Sequence, residues 1–179
     1  MVVFTGEPHL VLTGGAELAP AIVDRLFAPA VPTDGTASPA GDRLLAHLGS
    51  YVNTAYRDRF PLGVHLDVGR MRLPSGAIEY RTYERAINRE TLACGSGAAA
   101  IAHVAQRILR VLPPGAVTLW PHRCRRRQPD AYLTVTQSAT GLVLSGAPRF
   151  VCAGSFSLSS ASPNSNVEEA AECQIPISA

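Results

Sequence analysis

One turn constrains this chain more than any other feature. Residues 94–97, Cys-Gly-Ser-Gly, run straight into an alanine-rich stretch whose spacing predicts a helix over 98–112. Backbone N–H groups at a helix start have no intrahelical acceptor and carry partial positive charge. A thiol placed there should have its thiolate favoured and its pKa lowered. The amides of Gly95, Ser96 and Gly97 would hold a carboxylate at the same spot. An activated thiolate beside a carboxylate cradle suits proton abstraction next to a carboxyl group. The structural alternative is a buried cysteine that only caps a helix.

The rest of the chain reads as short strands around few helices. Residues 2–4 and 9–12 read as strands flanking a Gly-Glu-Pro-His turn, and 63–70 and 77–84 as a pair joined by a turn at 73–76. Further strands are expected at 116–120, 131–136, 141–144 and 149–156. Helical spacing appears at 16–27 (Leu18, Ile22, Val23, Leu26) and at 42–56 (Leu44, Leu45, Leu48, Val52). Residues 28–41, rich in Pro, Ala, Gly and Thr, read as a flexible insertion. Pro113-Pro-Gly115 stops the third helix. From residue 157 the chain holds almost no large apolar residue until Ile175, and 159–179 reads as a disordered tail. The order predicts an α+β domain over 1–158 with a mainly antiparallel sheet.

Composition excludes several classes. A net charge of +2 is too small to argue for nucleic acid, and the cluster Arg123, Arg125, Arg126 and Arg127 reads as a solvated hairpin tip. No run approaches the roughly 20 apolar residues that span a membrane. The N-terminus has no basic n-region or apolar h-region, which predicts no secretory signal and a cytoplasmic location. All 16 basic residues are arginine, so the chain has no lysine for a pyridoxal phosphate Schiff base, and no cofactor is expected. Four cysteines, Cys94, Cys124, Cys152 and Cys173, lack C-x-x-C spacing, so no metal site is expected. Cys152 reads as packing; Cys124 and Cys173 carry no motif.

The string Arg81-Thr-Tyr-Glu-Arg-Ala-Ile-Asn-Arg-Glu-Thr-Leu-Ala-Cys-Gly-Ser-Gly-Ala98 resembles the second signature of the diaminopimelate epimerase family. These epimerases and racemases use two cysteines and no pyridoxal phosphate. Thr5-Gly-Glu-Pro-His-Leu-Val11 is similar to the family's Gly-Asn-Pro-His-x-Val strand start. Gly141-Leu-Val-Leu-Ser-Gly-Ala-Pro148, with Val151 and Gly154, is similar to its last strands. The three stretches keep the family's order over roughly residues 2–158. The resemblance implies a curved sheet or barrel wrapped around a central helix, and it extends to the family's second domain alone. The first-domain cysteine motif has no counterpart here.

The same resemblance implies the site. Cys94 would be the catalytic acid/base, Gly95, Ser96 and Gly97 the cradle of the substrate α-carboxylate, and Glu84 and Arg85 the pair that grips substrate amino and carboxylate groups. Ala86 stands where the family usually has glycine. Two departures are larger: Glu7 replaces the asparagine of Gly-Asn-Pro-His, and His65 falls where a substrate-binding asparagine is expected. An acid and an imidazole at these positions argue against diaminopimelate as substrate. Glu7 would suit an amino-bearing side chain or act as a second proton-transfer group, and His65 titrates near physiological pH. Either residue is also open to a structural role, with His65 facing solvent. His9 reads as a packed, hydrogen-bonded histidine. The expectation is a cofactor-independent amino-acid epimerase or racemase whose site a homodimer partner or a separate first-domain subunit completes. A one-base isomerase or lyase, or a non-catalytic binding subunit, remain as alternatives.

Overall fold

Alternation along the strands decides which residues meet. The computed structural model describes residues 1–14, 17–28, 40–72 and 75–147. Most of the 28–41 insertion, the strand at 149–156, Cys152, Cys173 and the tail at 159–179 lie outside the described residues. Eight strands form one sheet: β1 (Val2–Phe4), β2 (Pro8–Thr13), β3 (His65–Arg72), β4 (Ala77–Glu84), β5 (Arg89–Glu90), β6 (Ala116–Pro121), β7 (Leu133–Ser138) and β8 (Gly141–Gly146). Their order is β1-β2-β3-β4-β6-β7-β8, with β5 paired to β4 alone. Only β2–β3 and β4–β6 are parallel, so the sheet is mainly antiparallel as expected. It curls into a half-barrel that, with four helices, makes a mixed α and β structure.

One face of the curl is filled by α3 (Gly95–His103) and the π-helical turn that continues it, Val104–Ile108. Ala98, Ala100, Ala102 and Ala105 carry nothing beyond Cβ, which lets the helix approach the sheet closely. With Ile101 and Val104 they form a core against Val11, Ile78, Tyr80, Val117, Leu119 and Val135. The sequence spacing predicts an unbroken helix over 98–112. Instead the helix loosens into the π turn, and Arg110 takes a left-handed φ of 55°. The Val111 N–H then donates to the Ala105 carbonyl at 3.0 Å, which closes the helix end before Pro113.

The other face packs on α1 (Pro20–Leu26) and α2 (Ala40–Ala55). Pro20 opens α1, where its missing N–H costs nothing. Val23, Leu26, Phe27, Leu45, Leu66, Val68 and Tyr83 form this second core. The Tyr83 ring lies where a Cβ on Gly49 would stand, so α2 needs glycine there. Along β3, Leu66 and Val68 thus face α1 and α2, while His65, Asp67 and Gly69 fall on the α3 side.

Two pieces of sequence were misread. The arginine cluster does lie in the connection between antiparallel β6 and β7, but it is not simply solvated: residues His122–Arg125 form a short helix, α4, and three arginines of the cluster are engaged. Arg123 donates to the Glu90 carbonyl, the Arg125 guanidinium sits 4.4 Å over the Trp120 ring, and Arg126 makes a forked pair with Asp42 at 2.5 and 2.9 Å. Two-residue β5 also escaped notice, being too short to show a period. It delivers Glu90 to Arg81.

Arg81 is the staple of this side. Its side chain is fully buried, with Nε 2.9 Å from Glu90 Oε1 and further bonds to Glu90 Oε2, the Leu26 carbonyl and Asp42. One guanidinium thereby ties β4 to β5, α1 and α2. Gly41 lies under it, because a Cβ there would come within 2.7 Å of Nη1. Among the described residues no helix is long and apolar enough to cross a membrane.

Two outcomes test this network. Arg81→Met should lower stability in urea unfolding by about 3–5 kcal/mol, since Glu90 is left buried without its cation. Arg81→Lys should recover only part of that loss, because an ammonium lacks the fork. Burial alone would raise Asp42; hydrogen bonds from Arg126 and Arg81 outweigh it and hold its carboxyl at about 2. A lowered carboxyl adds stability above its ordinary value of 3.8 that is lost as pH falls through about 2. Asp42→Asn should therefore cost roughly 1–2 kcal/mol at neutral pH, allowing for screening at a partly exposed group, and match the parent near pH 2. Thermal melts across pH 2–7 measure it.

Candidate active site

The candidate site is built where the strand ends meet the start of α3. Cys94 is the N-cap of α3, with extended backbone (φ −125°, ψ 114°), and its Sγ accepts from the Gly97 N–H at 3.4 Å. The Ser96 hydroxyl lies 3.4 Å from the same sulfur. The Tyr80 hydroxyl clamps the Cys94 backbone from below, donating to its carbonyl at 3.2 Å and accepting from its N–H at 3.3 Å. Burial pushes the Tyr80 hydroxyl far above its ordinary pKa, so it stays a neutral donor. The Thr5 hydroxyl donates to the Ser96 carbonyl at 3.1 Å and brings the β1–β2 turn onto the motif.

The expected activation of Cys94 does not hold. Burial pushes the thiol above its ordinary pKa; the Ser96 and Gly97 bonds oppose this and lose, while the charges of Asp67 and Glu84 add to the rise. The helix start supplies a favourable field, but the sulfur is 8% exposed and two carboxylates stand in its surroundings. Cys94 rests as a neutral thiol. The Gly97 amide, expected in the carboxylate cradle, is already used by that sulfur. The first-turn amides of Gly95 and Ser96 have no intrahelical acceptor.

Beneath Gly97 lies a polar group that sequence reading overlooked. Asp67 is fully buried. Its Oδ1 accepts from the Thr82 hydroxyl at 2.6 Å, and its Oδ2 meets His9 Nδ1 at 2.7 Å. These contacts follow from register, since Asp67 pairs across the ladder with Thr82 and neighbours the His9–His65 pair. A Cβ on Gly97 would collide with the Asp67 carboxylate and come within 2.9 Å of Thr82 Oγ1. A charged residue in the middle of a hydrophobic strand pattern was the available signal.

His9 is packed and hydrogen-bonded as expected, and its ring stacks on that of His65 with centroids 4.7 Å apart. His65 is 4% exposed and so does not face solvent. Its Nε2 meets Glu7, and Glu7 also pairs with Arg85 at 3.4 Å. The hydrogen bond to His65, then the Arg85 charge, hold the Glu7 carboxyl below its ordinary range and keep it ionised. Arg85 also donates to the Leu62 carbonyl. Glu84, at the end of β4, accepts from the Thr91 hydroxyl. Among the described residues, buried His9 Nε2, His65 Nδ1 and Arg85 Nε have no hydrogen-bond partner.

Every site residue named from the sequence therefore falls at one end of the fold, in two clusters, Cys94–Ser96–Gly97 and Glu7–His65–Arg85, with Glu84 beside the first and Asp67–His9 between them. No three His, Cys, Asp or Glu side chains among the described residues are grouped to hold a metal ion. No family model matches the chain, and no curated protein matches it. The likeness to the diaminopimelate epimerase signature rests on the motif residues themselves.

The state of the thiol can be measured directly. Iodoacetamide labelling of the Cys94 peptide, followed by mass spectrometry, should rise with pH to a midpoint above the ordinary value of about 8.5. Ser96→Ala should move that midpoint higher still, because the hydroxyl favours the thiolate. A midpoint near 7 would contradict the burial argument.

Proposed function

We propose that the chain is a cofactor-independent epimerase or racemase-like protein that moves the α-proton of an amino acid by cysteine acid/base chemistry. The observation that carries this reading is the Cys94 N-cap beside two amides, Gly95 and Ser96, that have no intrahelical acceptor. These amides suit an α-carboxylate. A carboxylate bound there would bring Cα next to Sγ. The neutral thiol suits the role of proton donor: a base on the opposite face removes the α-proton, and Cys94–SH delivers one to the Cys94 face. In the reverse direction the Cys94 thiolate takes the proton back. The substrate ammonium, arriving near Glu84 and Asp67, offsets the two charges that keep the thiol protonated.

The second base has to come from a second domain, supplied by another copy or another chain. Phe4 (72%), Leu62 (81%), Ile87 (45%) and Leu92 (47%) are exposed and flank the chemistry-bearing residues in sequence, as expected of a surface that a partner covers. The Glu7 carboxylate, fixed by His65 and Arg85, suits a basic or amino-bearing substrate side chain better than diaminopimelate's distal end. The resting thiol also favours one alternative, a one-base isomerase or lyase in which Cys94 acts only as an acid.

The test is α-proton exchange. The purified chain is incubated in D2O with a panel of L-amino acids, including basic and β-substituted ones, and the α-proton signal is followed by NMR. Exchange with one substrate class, reduced about 100-fold or more in Cys94→Ala, is the expected result. Exchange that survives in Cys94→Ala, or none for a chain shown by light scattering to be a dimer, would sink the racemase reading.

A further inference from the structure

The face of the sheet opposite Cys94 holds a hollow of about 730 Å3 between the end of α1, the far ends of β3 and β4, and α4. Among the described residues its wall carries four arginines, Arg70, Arg72, Arg125 and Arg126, against two carboxylates, Asp24 and Glu79. Two of the guanidiniums are held flat on aromatic rings, Arg70 over Phe27 at 4.5 Å and Arg125 over Trp120 at 4.4 Å. Arg70 spends Nε and Nη2 on Glu79 and the Phe27 carbonyl, Arg125 spends Nη1 on the Ala131 carbonyl, and Arg126 spends both Nη atoms on Asp42, so the donors left for an oxyanion are chiefly those of Arg72 and the second Nη of Arg125.

His122 supplies the second observation. Its side chain is 8% exposed and lines the hollow, with Nδ1 2.7 Å from Glu79 Oε1 and Nε2 without a partner. Burial would raise Glu79, but hydrogen bonds from His122 and Arg70 outweigh it and keep the carboxylate ionised. Nδ1 therefore directs its proton to Glu79, and Nε2 faces the hollow among the described residues without a partner. A buried polar atom without a partner is costly unless something fills it. Arginine offers only donors, so a ligand satisfying this wall needs an anionic group for the guanidiniums and a hydroxyl, which both donates and accepts, for His122.

We propose that this hollow binds a small hydroxylated oxyanion, either a phosphate ester or a hydroxycarboxylate, at a site separate from that of Cys94. Its volume falls in the range of small-molecule sites and far exceeds what a bare phosphate ion fills.

Isothermal titration of the full chain with citrate, glucose 6-phosphate, inorganic phosphate and glucose tests it. Saturable binding of citrate or glucose 6-phosphate is expected, the two distinguishing carboxylate from phosphate recognition, with glucose silent. The His122 Nε2 nitrogen signal should shift on titration. Arg72→Ala, at a half-exposed residue whose ion pair with Glu79 is 3.6 Å long, should weaken binding about tenfold, and Arg72→Ala with Arg125→Ala further. No saturable binding of either ligand would overturn the proposal. So would binding that leaves the His122 signal unmoved or is unchanged in Arg72→Ala.

Discussion

A buried carboxylate must be satisfied on every side, and Asp67 dictates what its neighbours can be. Its two oxygens are taken by Thr82 and His9, and its third boundary is the backbone at Gly97. Removing any of these contacts would leave a charge in the interior or force α3 away from the sheet. Two of the three stretches that resemble the family, residues 5–11 and residues 81–98 with their Tyr-Glu-Arg and Cys-Gly-Ser-Gly segments, are thus physically one assembly. Each has a residue in it or next to it that touches Asp67. The position of Cys94 follows, because the first turn of α3 can sit this low only over a glycine.

The same arrangement explains the thiol. A helix start lowers the cost of negative charge nearby by about 1 kcal/mol, but that field is already shared with Asp67. Glu84 adds a second negative charge, and the surroundings keep water out. What a helix N-terminus gives an isolated cysteine is here outweighed by two carboxylates and burial. A cationic group placed beside these two carboxylates would lower the thiol's pKa.

The local parts of this reading were legible from the sequence, and the pairings were not. The strand read at 77–84 coincides with β4 residue for residue, and that at 2–4 with β1, because the turn residues that bound each run are written in consecutive positions. Cys94 is recognisable as a cap because the cap is set by the three residues after it. Arg81 meeting Asp42, or Arg126 meeting Asp42, joins residues 39 and 84 positions apart, and nothing in the local pattern encodes such a partner. The arginine cluster looked like a solvated tip for that reason. The direction of the Cys94 shift was missed on the same ground: a local rule about helix starts cannot see a strand residue such as Asp67.

Strand β4 divides the molecule's chemistry by its pleat. Tyr80, Thr82 and Glu84 face or border the thiol, while Glu79 and Arg81, one step out of phase, serve the charge networks on the α1 and α2 side. Successive side chains on a strand cannot share a face, so a polar site on one side places the intervening residues on the other. There they need partners of their own, and Arg70, His122, Glu90 and Asp42 provide them. A strand that is polar on both faces and still central to a sheet is sustainable only when both sets of charges are paired, and β4 meets that condition.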